Sequence, residues 1–379
     1  MTIILDEKQK EDRLAFRTFV SEEIIPCANR FDQEERIPPE FIEKLAKQGF
    51  LGAVLPEKYG GCAMDPITYG LLNEELGRGC ASVRGLVMMQ NMVAQTILKW
   101  GTGAQKDQWL PKIGAGKTIA AFALTEPEIG SDALNITTTL QENKDSKFIV
   151  NGHKKWITLG QIADLFLVFG KKKGKLCAFL LEKNTPGLSI SPIKGILGAK
   201  ASMLAELQLE NCEISPKNLV GRPGFGFVPV GLTALNLGRY SIAWGCVGIG
   251  QACLEACIHH TRTRKQFGVH LKKHQLIQKM ITDMVVNIKA ARLLCYQAGQ
   301  IQESGGADAM METMAAKYFA SQMAFKIAND AVQIHGAIGC SNESAVQRHL
   351  RDAKIMEIIE GTSQIHQIKI AEHAYRIYA

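Results

Sequence analysis

The chain has 379 residues, 46% of them hydrophobic and 21% charged, which is enough to bury a sizeable core and excludes wholesale disorder. Its formal charge is +7, but the basic residues are dispersed. The longest cluster, Lys171-Lys172-Lys173-Gly174-Lys175, lies between two apolar runs and reads as a solvated hairpin tip, not a nucleic-acid patch.

Residues 1 to about 118 read as helical. The N-terminus Met1-Thr2-Ile3-Ile4-Leu5-Asp6 has neither a basic start nor a long apolar stretch, so no signal peptide is expected. Phe16, Phe19, Val20, Ile24 and Ile25 recur at helical spacing. Pro38-Pro39 opens a second helix whose apolar face includes Phe41, Ile42, Leu45 and Phe50, and Gly60-Gly61 breaks the pattern.

From about 119 to 225 the chain reads as an antiparallel β domain. Phe148-Ile149-Val150 precedes Asn151-Gly152, a pair that tolerates positive φ and predicts a hairpin turn. Leu165 to Phe169 and Leu176 to Leu181 flank the lysine-rich tip. Gly221, Gly224 and Gly226 lack the strand–glycine–helix setting of a dinucleotide fingerprint. The hydroxyl-rich run Thr125-Glu126-Pro127-Glu128-Ile129-Gly130-Ser131-Asp132 is either a plain turn or a loop whose N–H groups approach an electron-rich ring or phosphate.

From about 226 to 379 the chain is helical again, with Ile277, Met280, Ile281, Met284, Ile288, Ala291 and Cys295 on one stripe. Such wide apolar faces suggest a bundle that also buries surface between subunits. Cys253 and Cys257 precede His259 and His260, but their helix is apolar and both read as core thiols. The ten cysteines show no framework spacing, so reduced thiols and a cytoplasmic location are expected. No apolar run reads as long enough to span a bilayer.

Ile359-Glu360-Gly361-Thr362-Ser363-Gln364 closes the argument. It follows Arg351-Asp352-Ala353-Lys354 on a predicted helix with Ile355, Met356 and Ile358 apolar. Glu360 there either ends the helix before a glycine cap or is a buried, proton-abstracting carboxylate.

These segments, with Leu55-Pro56-Glu57-Lys58-Tyr59-Gly60-Gly61, Trp156-Ile157-Thr158, Arg264-Lys265-Gln266-Phe267-Gly268 and Gln333-Ile334-His335-Gly336-Ala337-Ile338-Gly339, in this order, resemble the acyl-CoA dehydrogenase family over essentially the whole chain. The resemblance implies a mainly α fold with a central antiparallel β domain. Its parts would be an N-terminal helical domain (1–118), a β-barrel or sandwich domain (119–225) and a C-terminal four-helix bundle (226–379). It implies an FAD-dependent oxidoreductase that oxidises an acyl thioester. Phe122, Leu124, Thr125, Gly130 and Ser131 would line the flavin, with Trp156 and Thr158 at its other edge. Arg264, Gln266 and Phe267, with His274 and Gln275 close by, and Gln333 and Gly336 would reach a neighbouring subunit's FAD. Thr362 and Gln364 would close the site. A shared cofactor implies a homodimer or homotetramer.

Glu360 matches the family's usual base: it would remove the α proton while a β hydride passes to flavin N5, and a backbone N–H near Glu360 together with the flavin ribityl hydroxyl would polarise the thioester carbonyl. The alternative base position, just before Arg239 in Leu235-Asn236-Leu237-Gly238-Arg239, is Gly238, so that base is absent. Ile359 replaces a common aromatic residue, and Asn236 stands where many CoA-dependent members have Asp. Arg84, six residues before Gln90, is either a surface or helix-capping arginine or a ligand for a distal polar group. The substrate-binding set is thus Arg84, Asn236, Arg239 and Gly361. The segment Arg239 to Gly248, together with Ala201 to Glu206 and Met356 to Gly361, resembles the branch of polyketide and hybrid peptide pathways, the hydroxymalonyl/methoxymalonyl extender-unit dehydrogenases. The expected partners are an acyl thioester on an acyl carrier protein or CoA and an acceptor such as an electron-transferring flavoprotein, with no nucleic acid and no membrane. The competing reading is a short- or branched-chain acyl-CoA dehydrogenase of catabolism.

Overall fold

The computed structural model describes residues 5–378. Residues Met1 to Ile4, part of the N-terminal segment considered above, lie outside the described residues. Helix α1 (Glu7–Phe19) starts at a reciprocal cap, with Gln9 N donating to Asp6 Oδ1 at 2.7 Å and Asp6 N to Gln9 Oε1 at 3.3 Å. It runs through a π-helical turn (Val20–Ile24) into α2 (Ile25–Glu34). The wider turn keeps Phe16, Val20 and Ile24 on the buried face and leaves Ile25 42% exposed. Helix α3 (Pro39–Lys47) begins at the expected proline and buries Phe41, Ile42 and Leu45. Helices α4 (Pro66–Gly79), α5 (Ala81–Trp100) and α6 (Gly103–Gly114) follow, and α4 is buried at every residue from Ile67 to Gly79.

The middle of the chain forms β1 (Ala120–Ala123), β2 (Thr139–Glu142), β3 (Phe148–Ile157), β4 (Leu165–Lys172), β5 (Lys175–Glu182), β6 (Leu188–Pro192), β7 (Ala205–Ile214) and β8 (Leu219–Val220). The sheet order is β6-β7-β3-β2-β4-β5-β8, with β1 pairing β4. Most pairs are antiparallel, but β1–β4 and the β2–β4 contact are parallel. Lys173 and Gly174, at φ 48° and 77°, make the tight β4–β5 turn that the lysine cluster predicted.

Asn151-Gly152 is not a turn. It lies inside β3 at a register shift against β7. Gly152 is required there by close approach, because a Cβ would sit 2.3 Å from Thr138 Oγ1. Asn151 Oδ1 accepts from Asn211 N at 2.8 Å across the irregularity. The chain reverses instead at 143–147, where Asn143 Oδ1 accepts from the N–H of Asp145 and Lys147, both at 3.0 Å.

The C-terminal part contains α7 (Leu232–Thr263), a short hairpin of β9 (Lys265–Gln266) and β10 (Val269–His270), α8 (Gln275–Glu303), α9 (Ala309–His335), α10 (Ala345–Met356) and α11 (Ser363–Ile377). The segment Gly226–Thr263 is long and apolar enough, by length and composition, to cross a membrane. This corrects the expectation that no run is. Of its most apolar window 67% is buried inside the fold, where α7 packs against α4, α5, α8 and α9. Cys253 and Cys257 are buried on it as core thiols, and burial raises both pKa values, that of Cys257 to about 12.

Helix α10 joins the parts. Arg351 forms a two-pronged pair with Asp32 of α2 (3.1 and 2.6 Å). Asp352 Oδ1 accepts from Ala199 N at 2.6 Å, and Arg348 reaches Asn29 Oδ1 at 3.0 Å and Gly79 O at 3.2 Å. One helix therefore fixes the N-terminal helices and the β domain relative to the turn that follows it.

The α4–α7 crossing is set by glycine. A Cβ on Gly248 would lie 1.9 Å from Glu74 O. Gly248→Ala is expected to destabilise the protein by about 1–3 kcal/mol through overpacking against backbone, read as a lowered Tm. An unchanged Tm would contradict the close crossing.

Candidate active site

The helix α10 ends at Met356, and residues 357–360 form a turn before α11. Glu360 therefore does not end a helix. It sits in the turn at φ 56°, followed by Gly361 at φ 100°. A left-handed glutamate costs roughly 1–2 kcal/mol and needs local compensation. Two cations supply it through the backbone: Arg239 Nε donates to Glu360 O at 3.0 Å, and Lys317 Nζ donates to Gly361 O at 2.8 Å. A φ of 100° favours glycine at 361, and a Cβ there would also crowd His366 Nε2 at 3.0 Å.

Glu360 as a whole is half-buried, yet its Oε2 has essentially no solvent contact and no hydrogen-bond partner among the described residues. Burial raises its pKa to about 7 against the opposing pull of Arg239, Lys317 and Arg84. All three cations bond elsewhere, so none neutralises the carboxylate by direct contact. Over it lies α7, where a Cβ on Gly238 would come within 3.2 Å of Oε2.

Arg84 on α5 is only 1% exposed, so it is neither a surface nor a capping arginine. Its Nη1 donates to Ser241 Oγ at 2.9 Å and meets Met88 Sδ at 3.2 Å, while Nη2 faces Met356 Sδ at 3.5 Å. Ser241 Oγ in turn donates to Asn73 Oδ1. Among the described residues Arg84 has no carboxylate within 4.0 Å, and its Nε has no partner. Burial lowers its pKa, but a guanidinium keeps its charge. Gly238, Ser241 and Gly245 share one stripe of α7, and a Cβ on Gly245 would lie 2.3 Å from Arg84 Cδ. The unpaired guanidinium thus lies one to two helical turns, roughly 5–10 Å, along α7 from the unpartnered carboxylate.

The expected flavin residues fall into two groups. Phe122 and Leu124 are buried, with the Phe122 ring 4.9 Å from that of Phe169. Lys155 N donates to Thr125 O at 3.0 Å, which brings Thr125 beside Trp156 and Thr158 at the end of β3. Trp156, in β3, is 50% exposed and left-handed at φ 62°, and Gly130 and Ser131 are exposed on the loop that carries Thr125. Hydroxyl-bearing residues of this loop, brought beside an exposed indole by the Lys155–Thr125 backbone bond, fit a flavin with its polyol chain.

The second group lies at exposed helix ends. Arg264, Gln266 and Gln275 are exposed, Phe267 is 92% exposed, and His274 packs edge-on against Phe267 with its Nε2 3.4 Å from Gln266 O. Gln333, Gly336 and Gln364 are exposed, whereas Thr362 caps α11. Among the described residues no hydrogen bond joins this group to the first. Asn236 is half-buried with an unpartnered Oδ1, and Arg239 gives its Nε to the Glu360 carbonyl while its buried Nη1 has no partner among the described residues.

Sequence reasoning assigned no role to Lys317, His366 or the Glu126–Lys154 pair. Lys154, fully buried, donates to Leu124 O at 3.0 Å and Glu126 Oε1 at 2.8 Å. Glu126 also accepts from the N–H and hydroxyl groups of Thr137 and Thr138, which with Lys154 hold its pKa at about 2 against burial. Burial lowers Lys154 to about 8 despite its partner. The pair pins the loop on which Leu124 and Thr125 sit. His366 is buried and neutral, its pKa lowered to about 3 by burial and by Lys317 and Arg239. The one available signal for Lys317 was a lysine on the apolar face shared by Thr313, Ala316 and Ala320.

Comparison with known proteins gives a consistent picture. Family models for the N-terminal, middle and C-terminal domains of acyl-CoA dehydrogenase match residues 6–117, 121–212 and 226–375. The short-chain specific mitochondrial acyl-CoA dehydrogenase of Sus scrofa is 36% identical, covering 100% of this chain and 92% of its own. A glutaryl-CoA dehydrogenase of Desulfococcus multivorans is 36% identical over 94% of this chain and 93% of its own. Among solved structures, a glutaryl-CoA dehydrogenase from Mycobacterium smegmatis in complex with FADH2 superposes with TM-score 0.94 at 28% identity (99% and 96% covered). The prolyl acyl carrier protein oxidase AnaB gives 0.93 at 31% (98% and 99%). FkbI, for biosynthesis of the methoxymalonyl extender unit of the Fk520 polyketide, gives 0.88 at 29% (97% and 99%).

The raised pKa of Glu360 has a thermodynamic consequence. The folded state holds that proton more tightly than an unfolded Glu near 4.5, so the residue costs stability as pH rises from about 4.5 to about 7. Glu360→Gln is expected to be more stable than the wild type by up to about 3 kcal/mol at pH 8, a difference that shrinks as pH falls and is gone below about pH 4. Thermal denaturation across pH checks this; a variant less stable at pH 8 would contradict it.

Proposed function

The chain belongs to the acyl-CoA dehydrogenase family of FAD-dependent oxidoreductases, and on that premise we propose that it dehydrogenates a short acyl thioester bearing a distal polar or anionic group, carried on an acyl carrier protein. The observation that carries the substrate class is the buried Arg84 guanidinium, without a carboxylate partner among the described residues, one to two turns along α7 from the unpartnered Glu360 carboxylate. A buried cation without an anion is costly, and a substrate carboxylate or hydroxyl beside it removes that cost.

In this reading Glu360 takes the α proton onto its shielded carboxylate, and a pKa near neutrality suits a base working at neutral pH. The N–H groups of the 360 turn polarise the thioester carbonyl. FAD, when bound, supplies the two-electron oxidant. Phe122, Leu124, Thr125, Gly130, Ser131, Trp156 and Thr158 would hold its ring, and Arg264, Gln266, Phe267, His274, Gln275, Gln333 and Gly336 would come from a neighbouring subunit. Thr362 and Gln364 would close the site.

The carrier-protein reading is supported by the likeness to FkbI, by Asn236 in place of Asp, and by a charge of +7 that favours an acidic partner; the absence of a Glu at Gly238 argues against the prolyl carrier protein oxidase type. A second reading, a short-chain acyl-CoA dehydrogenase, is favoured by the 36% identity to the Sus scrofa enzyme over the full chain.

Anaerobic titration of the flavin absorbance separates these. Bleaching by a short hydroxyacyl or carboxyacyl carrier protein and not by butyryl-CoA supports the first reading. Bleaching by butyryl-CoA supports the second. No bleaching by any thioester contradicts both. Arg84→Met is expected to lower kcat/KM about 10- to 100-fold for substrates with a distal polar group and to leave purely aliphatic thioesters little changed. Equal loss on both classes would mark Arg84 as structural.

A further inference from the structure

We propose that Lys317 is a positioning residue for Glu360, acting with Arg239 as a clamp on two consecutive backbone carbonyls. The proposal rests on Glu360 being the base. Lys317 projects from α9 and is fully buried. Among the described residues it has no carboxylate within 4.0 Å, and the hydrogen bond it makes is to Gly361 O at 2.8 Å. Arg239, from α7, holds the preceding carbonyl, Glu360 O, at 3.0 Å. Neither bonds to the Glu360 carboxylate, whose Oε2 stays unpartnered.

The two cations approach from different helices and grip successive peptide units. Both units are left-handed, at φ 56° and 100°. With its two carbonyls fixed, the direction of the Glu360 side chain follows from the backbone and not from an ion pair that would have to break before proton transfer. Positive charge is thereby placed near the carboxylate without capping it. That arrangement lowers the proton affinity that burial raises, while leaving a lone pair free to react.

The groups facing Glu360 are Arg239 on α7, Lys317 on α9, Arg84 on α5 and His366 on α11, and Glu357 of the same turn acts on Lys317. His366 is neutral in the relevant range, so it does not titrate with the base. Removing the Lys317 charge removes one of three cations that hold Glu360 down, and the acid limb of the rate profile must move to higher pH.

The test compares wild type, Lys317→Met, Lys317→Gln and Glu360→Gln as FAD-loaded enzymes. The readouts are substrate Kd, the rate of anaerobic flavin reduction and its pH profile. Lys317→Met is expected to keep FAD, to bind substrate within about twofold of wild type, to be reduced up to about 100-fold more slowly, and to show its acid limb at higher pH. A lowered Tm with an unchanged reduction rate and limb would overturn the proposal and leave Lys317 structural. If Lys317→Met does not accumulate folded, Lys317→Gln, which keeps a donor and loses the charge, must still move the limb upward; an unmoved limb overturns the proposal. Wild-type rates in Glu360→Gln would instead remove the base assignment itself, a different failure.

Discussion

The structure turns on one unfavourable placement: a left-handed glutamate whose Oε2 is shielded from water and has no hydrogen-bond partner among the described residues. Each condition raises the free energy of the fold. The surroundings offset the backbone strain by bonding the two carbonyls of the turn and leave the carboxylate desolvated. A closer ion pair would be more comfortable for Glu360 and would lower its pKa. The distances place the cations on the backbone instead, and a pKa of about 7 is the outcome.

Larger features serve the same turn. Helix α10 is bound to α2 through Arg351 and Asp32, and to the β domain through Asp352 and Ala199, so the turn starts from a fixed base. Helix α7 comes close because Gly238, Gly245 and Gly248 remove side chains where it meets Glu360, Arg84 and α4. The same stripe carries Ser241, which orients Arg84. Carboxylate and guanidinium thus lie along the same stripe of α7 without pairing with one another. On the β side, the buried Glu126–Lys154 pair holds the loop of Leu124 and Thr125 against the end of β3.

Much of this was legible in the sequence where one residue type has one common physical reason. Pro39 opened a helix, the lysine cluster marked a hairpin tip, and Glu360 before Gly361 stood out as an acid in apolar company. The misreadings share a cause: long-range contact decided them. Asn151-Gly152 has turn chemistry, yet Gly152 is there because Thr138 from β2 comes too close for a Cβ. Arg84 stood open between a surface or capping arginine and a ligand, and only the α5–α7 packing shows it buried. Gly226–Thr263 is apolar enough for a bilayer, and only its neighbours show it to be a core helix. Lys317 sits 44 residues from the turn it holds, and nothing local announces that bond.

The central claim is that Glu360, kept desolvated and aimed by its backbone, is the group that takes the α proton. Single-turnover flavin reduction by a thioester substrate, followed from pH 5 to 9 in wild type and Glu360→Gln, tests it most directly. The account predicts a wild-type rate that rises through an inflection near 7, and a variant that keeps its FAD but is slower by about 10²- to 10⁴-fold with no such inflection. A variant that retains the wild-type rate, or the same inflection, would contradict it.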